Sequence, residues 1–371
     1  MFLRELSLRS FRNYDSLELK FSSNLIFFIG RNAQGKTNIL ESIFLSCTGR
    51  SHRTSRDKEL IKRDHDRSLV KTRVEKLRGI SEISIYLSSS DKKIVTINGT
   101  PAKRMGELMG HLNCVMFSSE DLKIIEEGPV ERRRFMDMEI SQIKPKYFYF
   151  LQQYNRILNH RNYLLKEIQR KPALEKTLPV WNEQLAETGT YITVQRKNFV
   201  NSLQNIAREI HKKLSCNTEE LSLVYKSSVP FGTGDIREIK ENFLKELEQR
   251  QADDIQRGIT GIGCQRDDML TAINGADTRI FGSQGQKRTV VLSLKLSELE
   301  FMYRETGEYP LLLLDDVMSE LDPFRQAMLI EYIGRVQTFI TATDLNQLKA
   351  VSDLKGQMFH IEAGKAREQA V

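Results

Sequence analysis

The run from Leu25 to Thr37, LIFFIGRNAQGKT, constrains this chain more than any other stretch: an apolar segment breaks at glycine and passes into a helical pattern from Asn38 to Phe44. It reads as strand, phosphate loop, helix. Gly30 and Gly35 bracket Arg31, Asn32, Ala33 and Gln34, and Lys36 and Thr37 follow. In this spacing successive backbone N–H groups wrap a triphosphate at a helix N-terminus. The glycines permit positive φ and close approach, Lys36 brings a point charge to the β/γ-phosphates, and the Thr37 hydroxyl is placed to ligate Mg²⁺. By chance the bare pattern arises on the order of once in a hundred chains of this length. The expectation is therefore a nucleotide site spanning Gly30 to Asn38.

The chain has 371 residues, 40% hydrophobic and 28% charged, enough for two or three cooperating lobes. Its apolar runs are too short to span a bilayer and no signal-peptide pattern opens it, so a cytoplasmic protein without a membrane partner is expected. Cys47, Cys114, Cys216 and Cys264 lack C-x-x-C spacing, which points to buried thiols rather than a disulfide framework or zinc site. The net charge of +7 suggests an anionic partner. Most of that surplus falls between Arg50 and Arg78, with eleven Lys/Arg against five Asp/Glu. Arg50, Arg53, Arg56, Lys62 and Arg63 are the candidate phosphate contacts there; a solvated, self-paired face is the equal alternative.

Leu6 and Leu8, then Leu17, Leu19 and Phe21, alternate with polar residues, giving two strands ahead of the loop joined by a turn at 12–15. Ile83, Ile85, Leu87, Ile94 and Ile97, with Asn98-Gly99, suggest a meander. From about Glu126 long helices take over. The stripes Tyr147 to Ile168 and Trp181 to Leu214 predict an antiparallel helix pair, and Ile239, Phe243 and Leu247 a further helix. Strand-like sequence returns after Gly258. The fold class is α/β, a mixed sheet with flanking antiparallel strands and a helical lobe, divided as 1–125, 126–257 and 258–371.

Residues Pro310 to Asp316, PLLLLDD, read as a buried strand ending in two carboxylates. Laid beside the phosphate-loop strand, it would bring Asp315 to the Mg²⁺ and aim Asp316 at the γ-phosphate to orient the attacking water. A second glycine-containing helix start, Ser283, Gln284, Gly285 and Gln286, runs into an apolar helical pattern. One subunit does not need two such loops for one phosphate, which suggests that this one meets a nucleotide held by a second copy.

Together, the segments 8–14, 30–37, 117–122, 129–137, 266–268, 283–286 and 314–322 resemble the ATP-binding-cassette heads of chromosome-maintenance and double-strand-break repair ATPases. Within that branch the chain is most similar to the RecF family, notably in Arg266-Asp267-Asp268 shortly before Ser283, and the similarity covers nearly the whole chain. The resemblance implies Walker A at Gly30 to Thr37, the Walker B magnesium acid at Asp315, and the water-polarising acid at Asp316. It implies a signature motif at Ser283 to Gln286 and a D-loop at Ser319 to Asp322. It further implies an ATP-dependent homodimer on gapped or junction DNA, weak DNA-dependent ATPase activity, and work with RecR, RecO and RecA. Cassettes generally carry Glu where Asp316 stands, so slow hydrolysis is expected. No glutamine lies near Ser118 to Asp121 for a Q-loop, and Thr341 or Thr343 takes the switch-histidine place. Cys264 and Gln265 replace the family's proline and histidine. A transporter cassette subunit or a clamp that never turns over are the alternatives, and no N-K-x-D motif supports a GTPase.

Overall fold

The computed structural model describes residues 1–77, 79–344 and 355–369. Two compact units are formed, one from Met1–Leu122, Glu209–Thr218 and Arg288–Val371, the other from Lys123–Arg208 and Glu219–Lys287.

The first unit holds two sheets. β1 (Phe2–Phe11) and β2 (Tyr14–Lys20) form the expected hairpin, with Arg12 in the left-handed region at its turn. The antiparallel order β2-β1-β4-β5-β6-β7 is completed by β4 (Arg67–Lys76), β5 (Gly79–Ser88), β6 (Ile94–Ile97) and β7 (Thr100–Pro101). Leu6, Leu8, Val70, Ile83 and Ile85 turn one face of it inward.

The mixed sheet has the order β15-β14-β3-β13-β12-β8. Its strands are β3 (Leu25–Ile29), β8 (Cys114–Phe117), β12 (Leu311–Asp315), β13 (Thr338–Ala342), β14 (Gln357–Glu362) and β15 (Lys365–Gln369). β3, β8, β12 and β13 are almost wholly buried, as strands covered on both faces must be, and Phe21 meets Phe28, Phe339 and Phe359 edge to face within this core. The Asp315 strand was expected beside β3, but β13 lies between them: β3 pairs with β13, and β13 with β12. Helix α1 (Lys36–Thr48) leaves the loop after β3 and ends at Gly49, a left-handed C-cap.

In the second unit, α2 (Lys123–Glu126) and α3 (Pro129–Ile143) precede the helix pair α4 (Pro145–Ile168) and α5 (Leu178–Leu214), with proline at the first turn of α3 and α4. The pair is antiparallel, since Lys144 meets Gln195, Phe150 stacks on Tyr191, and Arg161 meets Asn182. Tyr154, Leu158, Leu165 and Leu185 are buried, Leu165 clustering with Ile168 and Leu178, while Leu151 is half-buried. Further on come α6 (Ile236–Gln249), α7 (Gln251–Arg257) and α8 (Thr278–Phe281); α9 (Gln284–Thr306) starts in this unit but from Arg288 belongs to the first, as does α10 (Pro323–Ile333).

Residues 258–287, grouped with the ATPase head on the sequence, cluster with the helical residues instead. β10 (Asp268–Ile273) pairs with β9 (Leu221–Lys226) and with β11 (Ala276–Asp277), closing a three-stranded sheet. Buried ion pairs fasten it: Arg132 to Asp268 at 2.6 Å, and Arg196 to Asp137 at 2.9 Å and Asp267 at 3.4 Å. Removing one member of such a buried set costs several times what a surface pair does. Residues 209–218, placed in the helical lobe on the sequence, fall in the first unit, where His211 meets Ser293 at 3.0 Å. Cys47, Cys114 and Cys264 are buried free thiols as expected, but Cys216 is exposed, because it sits in the turn after α5.

Candidate nucleotide site

β3 gives way to Gly30, where a Cβ would lie 2.2 Å from the carbonyl oxygen of Ile361, so only glycine fits. The loop turns through Ala33 and Gly35, at φ of 63° and 116°, into α1. No side chain caps the α1 N-terminus and no acidic residue occupies its first turn, leaving the dipole end to an anion. Lys36 is buried, its ammonium donating to the carbonyl oxygens of Gly30 at 2.5 Å and Arg31 at 3.0 Å. Burial pulls its pKa down, while Asp316 and Asp315 work the other way.

Residues the motif does not include brace this loop. Asn13 donates to the Gln34 carbonyl at 2.9 Å and Tyr14 to that of Gly35 at 3.1 Å. Asn38 donates to Asn13 Oδ1 at 2.8 Å, and the Ala363 N–H reaches Gln34 Oε1 at 2.7 Å. These contacts span up to 329 positions of sequence, and no local pattern announces them.

Asp315 stands two strands from β3, about 9.6 Å at the usual spacing, yet its Oδ1 accepts from Thr37 Oγ1 at 2.9 Å. Thr341, at the end of the intervening β13, explains the reach. Its hydroxyl lies 2.8 Å from the same carboxylate oxygen and accepts the Asp316 N–H at 2.9 Å. Thr341 therefore orients the acid pair from below. Asp316 is left-handed at φ 58°, which turns the chain sharply after the strand. Burial raises its pKa; Asp315 adds to the rise and Lys36 opposes it. A hydroxyl and a carboxylate oxygen side by side are the hard donors Mg²⁺ takes, so the residues fit both the ion and a triphosphate.

The basic stretch divides. Arg53 faces α1, donating to Asn38 Oδ1 at 3.0 Å and lying 3.6 Å from Glu41. Glu41, fully buried on α1, also accepts two hydrogen bonds from Arg12, at 2.8 and 2.6 Å, and one from Ser51 at 2.5 Å. Burial alone would raise its pKa; the Arg12 and Ser51 hydrogen bonds override that and hold the carboxyl below its ordinary value. Lys62 pairs with Asp15 at 2.6 Å and Arg56 with Glu59 at 3.7 Å; Arg50, Arg53, Arg56 and Arg63 are exposed. Arg78 lies outside the described residues.

In the segment where a Q-loop glutamine is missing, Asp121 is held by the Ser118 N–H at 2.6 Å and lies 3.6 Å from Lys295 of α9, which meets Glu298 at 3.2 Å. Burial raises the Asp121 pKa and Lys295 opposes the rise. Such a lysine on an apolar helical stripe gave no sequence signal.

The signature segment looks different. Ser283, Gln284 and Gly285 are exposed. Ser283 and Gln286 form a reciprocal capping box, with Gln286 N–H to Ser283 Oγ at 3.2 Å and Ser283 N–H to Gln286 Oε1 at 2.9 Å. Gln284 and Gln286 donate to Glu126 and Glu219. In the segment where a D-loop was expected, Ser319 donates to the Asp316 carbonyl at 2.8 Å and Asp322 caps α10. Among the described residues no helix is long and apolar enough to cross a membrane.

Residues 2–365 match the RecF/RecN/SMC N-terminal domain family. The chain is 47% identical to the DNA replication and repair protein RecF of Alkaliphilus oremlandii, over 98% of this chain and all of that protein. It superposes on a structure of the recombination mediator protein RecF with ATP in the RecFOR pathway, with a TM-score of 0.91 and 38% identity over 100% of this chain and 98% of that one. An Smc head from Pyrococcus furiosus shares the fold, with a TM-score of 0.56 and 16% identity over 100% of this chain and 96% of that one.

Proposed function

The chain belongs to the RecF family of DNA replication and repair proteins, and from that premise we propose that it is an ATP-driven dimeric clamp on DNA. The observation that carries the reading is the pairing of Thr37 with Asp315, steadied by Thr341, at the mouth of an uncapped α1. Lys36 exchanges the Gly30 and Arg31 carbonyls for phosphate oxygens, and the α1 N-terminus receives the anion. Thr37 and Asp315 would hold Mg²⁺, which neutralises phosphate charge when bound. Asp316 accepts a hydrogen bond from the attacking water and orients it.

The exposed Ser283 helix start supplies the other half of the site to a nucleotide held by a second copy, so ATP favours the dimer by mass action. Turnover at Asp316 opens it. Hydrolysis is weak and stimulated by DNA, and the closed dimer holds a gap or a single-strand/double-strand junction, where RecR and RecO assist RecA loading. Such work belongs to a cytoplasmic protein. The reading of a clamp that never turns over differs only in the fate of Asp316.

Single-turnover phosphate release separates them. Asp316→Asn should slow release by roughly 10²- to 10⁴-fold while ATP binding persists. Equal rates for wild type and variant would remove Asp316 from the chemistry.

A further inference from the structure

Between Glu139 and Glu167 the chain has no acidic side chain, although Asp and Glu make up 49 of its 371 residues. This gap coincides with almost the whole of α4. Its inward face is fixed by Tyr154, Leu158 and Leu165, and by Arg161, which is fully buried and donates to Asn182 at 2.8 Å, Asp254 at 2.8 Å and Thr260 at 2.7 Å. With that face committed, the outward one carries Asn155, Arg156, Asn159, His160, Tyr163 and Lys166, all exposed except for their stems. An open depression runs along the first four. Neither Arg156 nor Lys166 has a carboxylate partner among the described residues. His160 lies stacked on Trp181 of α5, ring centres 5.4 Å apart and planes 18° from parallel.

An uncompensated cationic stripe calls for a polyanion, and amides with stackable rings beside the cations add what a base needs. A duplex offers phosphates but keeps its base faces covered, so the ring platform favours unpaired nucleotides. We propose that the outward face of α4 binds single-stranded DNA, with Arg156 and Lys166 on phosphates and a base stacked on His160 over Trp181. This rests on the DNA reading above and assigns it a surface that the nucleotide motifs do not supply.

Trp181 is the only tryptophan, so its emission reports on this face alone. In the full-length protein, an oligo(dT) titration should quench Trp181 emission in step with binding followed by fluorescence anisotropy, and a blunt duplex should quench it less. Arg156→Ala should lower the magnitude of the salt slope by about 0.7, and His160→Ala should weaken oligo(dT) roughly fivefold or more. Arg156→Lys should restore the slope, and circular dichroism checks that each variant is folded. Oligo(dT) binding without a Trp181 response, or with unchanged slope and affinity in folded variants, would overturn the assignment to α4 and leave DNA binding standing elsewhere. Binding of duplex alone would overturn it too. Failure of both DNAs to bind would remove the DNA reading with it.

Discussion

The Walker loop and the signature segment are both helix N-termini preceded by small residues, and the fold treats them in opposite ways. Around the Walker loop, Asn13 and Tyr14 fix the backbone, Ala363 holds the Gln34 side chain, Thr341 fixes the carboxylates, and the α1 end is left without a cap. At Ser283 the helix end satisfies itself through Gln286 and lies open. A site built to bind alone needs organisation before the ligand comes, because ordering it afterwards consumes binding energy. A site that completes another chain's nucleotide needs exposure, and a capping box keeps it folded meanwhile. The difference fits the proposal that the Walker loop is the primary binding site and that the Ser283 helix start answers to dimerisation.

The largest test of that contrast is Lys36→Met, which removes the charge while leaving the bracing intact. ATP affinity should fall roughly 10- to 100-fold, and ATP-driven association should vanish; retained association would sink the loop assignment. Next in size is Gly30→Ala. Its Cβ would meet the Ile361 carbonyl at 2.2 Å, so denaturant unfolding should show a loss of about 1–3 kcal/mol, and an unchanged midpoint would mean that β14 yields freely. The smallest is the pH dependence of the Arg12–Glu41–Arg53 brace. Because the folded pKa of Glu41 lies below the ordinary 4.5, its contribution to stability is present above that pH and is lost as pH falls through the folded value. Glu41→Gln should therefore be destabilised most above pH 4.5 and approach wild type in acid. A constant difference across that range would show the brace to act by shape alone.

The same contrast marks what could be read from the sequence. Gly30 to Thr37, the strand ending at Asp315 and the helix pair are contiguous patterns, and each was legible because its cause is local: loop sterics, strand burial, helical period. The insertion of β13 between β3 and β12, and with it the role of Thr341, was not, because strand order is set by packing across the whole unit. Asn13 and Tyr14 stood within a segment that resembled the family, but their grip on Gln34 and Gly35 appears only once the β1–β2 turn is folded against α1. Arg53 read as one more surface cation until the buried Glu41 gave it a partner. Residues 258–287 were grouped with the head because strand-like sequence returns after Gly258, whereas β10 chooses β9, some fifty residues earlier.

The most direct test of the account is the sedimentation mass of wild type and Ser283→Arg, each with and without Mg²⁺-ATP. Arginine at that exposed helix start leaves the chain's own Walker loop untouched and blocks what Ser283 offers to a second copy. Wild type should double its mass with ATP, while the variant should bind ATP and remain a monomer. If the variant dimerises with ATP as wild type does, or if neither changes mass, Ser283 to Gln286 is an ordinary capped turn and the two-copy site is wrong.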